Sequence, residues 1–480
     1  MRILEHHGAT RAMRRVTLAA AVLVASTSAG CATLRATLHG YELGPGGIER
    51  PQHRLRQALA AGDFVRALAW HEDDALLDRL TRATSAYYAG QYLRAGALLD
   101  TAALVSDDRI TERLSRDALA LVTNDIARPY RPRRTERLFI PYYGMLAYAR
   151  AARWEDAAVE ARRLGALLTQ HESDRDDAER PLHAVLSHLV GAVLERAGRA
   201  DEAQVAYRVA HQMLDRAPER FAAPGRDEGE LLVVLERGFV AHRVTERIDI
   251  YIGDDDERRR DPRHPRRDDQ PASRPGADPR RTTNAVDVLQ VGDMLPSDSG
   301  RVRRRREKQH DDDDDYWIAV AFPTLRRSGR QWGSAAQLRV EEGAADAVRI
   351  GSVVDDAASA DERRDRLAML ARATVRAGAK YALAKAVKDK KGDAAGTLAN
   401  YGASLLERAD VRAWHLLPQE VQLYRTRMTA GTRAVRLEVS EGGVTRTVDL
   451  GTVTVRPGTV TIAPFRVWKE QAAPATIAAR

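Results

Sequence analysis

The sequence predicts an α+β protein: an N-terminal α-helical solenoid, then a β-rich half with an inserted helical segment and a disordered charged loop. Three observations predict it. Between residues 51 and 220, Ala, Leu and Arg recur at spacings of three and four, the period of a helix. Further on the period drops to two. Ile248, Ile250 and Ile252 alternate with Arg247, Asp249 and Tyr251, and Val435, Leu437 and Val439 alternate with polar residues near the end. Between these β stretches, residues 253–281 hold no large apolar side chain, so they have nothing with which to build a core.

The first element is VTLAAAVLVA, residues 16–25, preceded by Arg11, Arg14 and Arg15. A cationic start, a short apolar run and small residues at its end describe an export signal. The run is too short to span a bilayer, which takes roughly 20 apolar residues. Met13 is an alternative start, because MRRVTLAAAVLVASTSAGC is a complete signal by itself. The signal ends in Ser28-Ala29-Gly30-Cys31, and Cys31 is the only cysteine of 480 residues, so it has no disulfide partner within the chain. This stretch resembles the lipobox of bacterial lipoproteins, departing from it at Ser28, where leucine is usual. The resemblance implies cleavage before Cys31, a diacylated thiol and an acylated amine. Each buried lipid methylene contributes roughly 0.8 kcal/mol and stable anchoring takes more than one chain, a condition that three chains meet. Ala32 rather than Asp follows, which by resemblance to enterobacterial sorting implies the periplasmic face of the outer membrane. Residues 1–30 are therefore expected to be a signal peptide and 31–50 a tether. The formal charge of +8 falls to +5 without residues 1–30, a mild excess that does not argue for a nucleic-acid partner.

Residues 51–225 are expected to form the helical domain. A small unit recurs there: a small residue, an aromatic two later, and Ala five after the first. It reads Gly62, Phe64, Ala67; Gly90, Tyr92, Ala95; Ala152, Trp154, Ala157; and Gly198, Ala203, with the aromatic delayed to Tyr207. A tight turn needs the small residue, the aromatic wedges the helix pair, and the alanine lets the helices cross closely. The pattern resembles tetratricopeptide repeats, stacked helix pairs that offer a concave surface to partners. The copies are 28, 62 and 46 residues apart rather than evenly spaced, so an ordinary helical bundle is the alternative.

A longer stretch, residues 124–164, carries Asn124-Asp125, Tyr130, the pair Tyr142-Tyr143 and the run Asp156 to Arg163. These features resemble an uncharacterised family of Gram-negative outer-membrane lipoproteins with tetratricopeptide-like repeats. GELLVVLERGFVAHR, IAVAFPTLRR and ADVRAWHLLPQEVQLYRTRMTAG resemble later segments of the same family. The resemblance implies location and architecture and brings no established activity.

Residues 226–480 are expected to be the β-rich domain. Within it, 254–315 is read as a disordered insert of mixed charge and proline. The arginines 303–306 could meet polyanions and the aspartates 311–315 divalent cations, but a solvated loop whose charges largely cancel accounts for both. Strands are expected around 336–353 and an Ala-rich helical segment over 355–408. Arg366, Arg372, Arg376, Lys380 and Lys385 forbid that helix from spanning a membrane. Over 433–468 alternation, Gly442-Gly443 and Pro457-Gly458 predict C-terminal strands in a meander or a sandwich edge.

Catalytic signatures are absent from the sequence: no phosphate-binding glycine loop, no HExxH and no GxSxG. His183 and His188 are five apart, roughly 140° around a helix, so their rings should point away from each other. They read as ordinary buried histidines, and His415, beside Trp414 and Pro418, as the anchor of a turn. No catalytic residue, metal site or cofactor is expected, and the one site residue is the lipidation site Cys31. The expected function is a lipid-anchored scaffold or accessory factor in envelope assembly, not an enzyme. Its expected partners are the membrane and an unidentified envelope protein. Two alternatives are an activator of a peptidoglycan synthase and a hydrolase of envelope glycans.

Overall fold

The computed structural model describes residues 50–111, 128–214, 225–252, 316–327, 336–340, 343–344, 348–391, 409–441 and 444–468. The expected signal peptide, Cys31, the tether up to residue 49, Asn124-Asp125, the insert 254–315 and the end of the helical segment at 392–408 lie outside the described residues. Contacts group residues up to 249 and from 319 onward into one compact unit, and 250–318 into a second. The helices and sheets described below belong to the first, apart from the ends of β2 and β3.

Among the described residues, eight helices make four pairs: α1 (Arg50–Ala60) with α2 (Phe64–Leu68), α3 (Ala75–Tyr88) with α4 (Tyr92–Thr111), α5 (Arg134–Arg150) with α6 (Trp154–Gln170), and α7 (Arg180–Arg196) with α8 (Ala200–Met213). One turn joins every pair. Gly62, Gly90, Ala152 and Gly198 all have positive φ, between 57° and 77°. In each case that residue's N–H donates three residues back and the next N–H donates five back, as in Gly198 to Glu195 and Arg199 to Leu194. This is the Schellman ending, which satisfies the last carbonyls of the first helix. The alanine five residues on then makes an early hydrogen bond of the second helix, and Ala67, Ala95, Ala157 and Ala203 are all buried. Two short 3-10 turns, Glu172–Asp174 and Asp177–Glu179, lengthen the link between α6 and α7.

Among the described residues the strands form two four-stranded sheets and one pair. The first sheet runs β10 (Val460–Val467), β1 (Glu228–Arg237), β7 (Glu420–Thr429), β6 (Val348–Val353). β10 is parallel to β1, and the other pairings are antiparallel. The second sheet runs β5 (Gly343–Ala344), β4 (Ala336–Val340), β8 (Gly431–Glu441), β9 (Val444–Val455), all antiparallel. β2 (His242–Ile252) pairs with β3 (Tyr316–Arg326), and α9 (Val354–Lys391) follows β6 directly.

β1 explains the layering. Its LLVVL run lacks the apolar–polar alternation of a half-buried strand because both of its faces are covered. Leu232 and Val234 join the core of the helices, while Leu231, Val233 and Leu235 join a separate core against Leu338, Val435, Leu437 and Val453 of the second sheet. The order is helices, first sheet, second sheet. The structure is α+β, as the two periodicities require. The expected boundary at 225/226 marks a change from helix to strand, but one hydrophobic core runs across it. The C-terminal strands also differ from a simple meander. After the turn at Gly458, β10 leaves the second sheet and pairs in parallel with β1.

Candidate functional site

The first helices of the last three pairs, α3, α5 and α7, face the strands. From Leu182 to Leu194 every residue of α7 is buried, and so is every residue of α5 from Leu138 to Ala147. The second helices bury only a stripe, such as Ala203, Ala210 and His211 on α8. A concave solenoid surface would lie on the first helices, and here the protein's own sheet covers it. The tyrosine pair of the sequence, Tyr142-Tyr143, is therefore interior.

A buried polar constellation sits on that covered face. Glu236 of β1 accepts hydrogen bonds from Tyr88 (2.6 Å) and Tyr142 (2.9 Å). The hydroxyls of Tyr88 and Tyr143 lie 2.9 Å apart. Arg466 of β10 donates to Tyr88 (3.0 Å), Tyr143 (3.4 Å) and the carbonyl of Gly238 (2.5 Å), and its guanidinium is 3.6 Å from Glu236. The Arg466 guanidinium also lies over the ring of Trp468. Burial pushes the phenols of Tyr87, Tyr88, Tyr142 and Tyr143 well above 10. All four phenols are thus held in the neutral form. The adjoining cavity of about 20 Å³, lined by Tyr87, Tyr92, Arg150 and Phe465 among others, has room for about one water. The arrangement holds α3 and α5 to β1 and β10.

Three further clasps repeat this role. Arg425 of β7 bonds Glu230 of β1, Glu195 of α7 (2.9 Å) and the hydroxyl of Tyr207 of α8 (2.7 Å). Arg56 of α1 donates to the carbonyls of His415 (2.9 Å) and Val240 (2.8 Å), and burial lowers its pKa to about 9. Trp414, fully enclosed, donates its indole N–H to Thr84 of α3 (3.0 Å) and its backbone N–H to Glu136 of α5 (2.9 Å).

The histidines fall as their spacing requires. His183 faces His171, with ring centroids 6.3 Å apart, whereas His188 faces Tyr207 (4.9 Å) and His211 (6.3 Å). Burial, then nearby arginines, push His183 and His188 down to about 3. His415 is buried under Arg56 and held well below 6.5, chiefly by desolvation. Among the described residues no cluster of His, Cys, Asp and Glu could hold a metal, and no helix is long and apolar enough to cross a membrane.

Glu236, Arg425, Arg466 and Arg56 are absent from the sequence reading. The available signal was a charged side chain inside an otherwise apolar strand, as in LLVVLE and APFRVW. Such a charge needs a partner, and the sequence does not say which one. An open groove of about 250 Å³ lies between Phe322, Pro323 and Leu325 of β3 and Glu362, Arg366 and Met369 of α9. Comparison with known proteins finds no matching family model, no matching curated protein and no matching solved structure.

Proposed function

We propose that this protein is a lipid-anchored accessory factor of the cell envelope, held at the periplasmic face of an outer membrane through Cys31 and acting by binding rather than by chemistry. The observation that carries the reading is the order Arg14-Arg15, VTLAAAVLVA, Ser28-Ala29-Gly30-Cys31, with no second thiol in the chain. An export signal ending on a lone cysteine has a chemical use for that cysteine, namely acylation. The inward helix face expected to meet partners is already filled by the protein's own sheet. A protein partner would therefore meet the outward second helices, α9 or the outer face of the second sheet.

The test is mass spectrometry of the N-terminal peptide from membranes. A lipid-modified Cys31 with nothing before it is expected, and an unmodified peptide reading through from Met1 or Met13 would remove the reading. Cys31→Ala should leave the protein uncut or detached from the membrane. Crosslinking in intact envelopes followed by capture then identifies the partner. A peptidoglycan synthase among the captured proteins would make this protein a regulator of that enzyme.

A further inference from the structure

The link between α6 and α7 meets the first turns of α9 at a cluster of titratable groups. His171 and His183 are both buried, and three of their four ring nitrogens (Nδ1 of His171, Nδ1 and Nε2 of His183) have no hydrogen-bond partner. The groups that face them are mostly cations: Arg134 and Arg137 from α5, Arg175 from the link, and Arg364 from α9. Carboxylates already occupy most of these. Asp174 takes Arg134 at 2.5 Å, Glu179 and Asp361 take Arg364 at 2.7 and 2.9 Å, and Asp107 lies 3.5 Å from Arg137. Nη1 of Arg175 is buried without an acceptor. Asp361 also receives the backbone N–H of Thr135 at the start of α5, at 2.7 Å. Two outer pairs, Arg363 with Asp176 and Arg133 with Asp365, complete the contact between α9 and the helices. With both histidines neutral the charges nearly balance. Two more cations would have no counter-ion.

We propose that this cluster is an acid-sensitive latch, in which protonation of His171 and His183 releases the first turns of α9 from α5 and from the 171–180 link. The direction follows from proton linkage. Burial, reinforced by Arg134 for His171 and by Arg175 for His183, holds these residues at about 4 and about 3 in the latched form. In the released form they take protons near about 6.5, so each favours release by roughly tenfold per pH unit below that value. Asp361 opposes them, because burial raises its carboxyl to about 6 and the latched form takes up that proton first. Asp174 and Asp176, held below the ordinary carboxylate range by the Arg134 hydrogen bond and by the Ala178 N–H, stay charged through this window. Burial also raises the carboxyls of Asp355 and Glu362 on the same turns, so they oppose release alongside Asp361, while the two histidines, with the larger shifts, still make release more favourable at pH 5 than at pH 7.

Backbone hydrogen exchange of the full chain at pH 7 and pH 5, corrected for intrinsic exchange rates, tests this. Peptides covering 171–183 and 354–370 should lose protection at pH 5 while peptides from β1 and β7 keep theirs. His171→Gln/His183→Gln should abolish that loss. Should the double variant fail to fold, His171→Gln alone should cut the loss by more than roughly tenfold. Unchanged protection of 354–370 in the parent at pH 5, an equal loss in the histidine variants, or a loss shared with β1 and β7 would each overturn the latch.

Discussion

Arg466 shows what a single residue does in this fold. It is 5% exposed, carries a full charge, and is balanced by Glu236 and by two phenols from different helix pairs. Burial alone would depress its basicity, but Tyr88, Tyr143 and Glu236 outweigh burial and raise it. Removing one partner of such a pair leaves the other charge buried alone, which costs about 3–5 kcal/mol. Arg466→Met should therefore lower the unfolding free energy in urea by about that much, with the m-value unchanged. Removing Glu236 as well should cost less than the sum of the two single changes, since no lone charge then remains. A loss under about 1 kcal/mol for Arg466→Met would mean that the clamp contributes little. The sequence shows a charge inside each apolar strand, but the pairing of these groups was not legible in it. Tyr88, Tyr143, Glu236 and Arg466 span 378 residues from first to last, and no local pattern records a contact at that separation.

At the scale of elements the sequence was far more readable. The unit of small residue, aromatic and alanine placed all four helix-pair turns, because each property acts within six residues of chain. The turn needs a left-handed residue and the crossing needs a small one. Ala152 is the exception that tests this account. It holds φ 57° where the other three turns have glycine. The left-handed conformation costs a non-glycine residue roughly 1–2 kcal/mol. Ala152→Gly should therefore raise stability by about 1 kcal/mol, and Gly198→Ala should lower it by a similar amount. At Gly198 a new Cβ would touch nothing within 4 Å, so thermal melts of that variant report backbone strain alone. The displaced aromatic of the last copy also has a physical reason. A Cβ on Gly191 would lie 2.6 Å from the ring of Tyr207, so α7 gives up a side chain where α8 places its ring. Gly96 does the same for Tyr148, with an approach of 2.7 Å. The uneven repeat intervals reflect links of unequal length, among them the 3-10 turns at 172–179.

The whole molecule depends on a sheet that closes against the helices. The strands that cover α5 and α7 come from residues 228–237, 348–353, 420–429 and 460–467, so the helical half has no finished surface of its own. An isolated 51–225 fragment should expose Tyr88, Tyr142, Tyr143 and the buried run of α7. It should bind a hydrophobic dye and lack a cooperative melt, whereas the full chain should unfold in one transition for helix and sheet signals alike. A fragment that melts cooperatively on its own would show that the core shared with β1 is dispensable. The insert at 254–315 bears differently on stability. β2 and β3 pair on either side of it, and closing a shorter loop changes the entropy only slightly. Its replacement by a short Gly-Ser linker should therefore leave the melting temperature within a few degrees of the parent.

By itself the sequence determined whatever acts over a few neighbouring residues: the helical and strand periods, the four turns, the opposite facing of His183 and His188, and the α+β class. It also carries the motif on which the proposed lipid anchor rests, since Cys31 and its flanks are read along the chain. Only the tertiary structure decided that the first helices look inward. Whether an apolar helix face meets a partner or the protein's own sheet depends on where β10 goes after Gly458, and β10 lies more than 220 residues from the β1 strand it joins. Periodicity shows that a face must be covered. It cannot show what covers it, because burial rewards any apolar surface alike and the choice is made by chain topology.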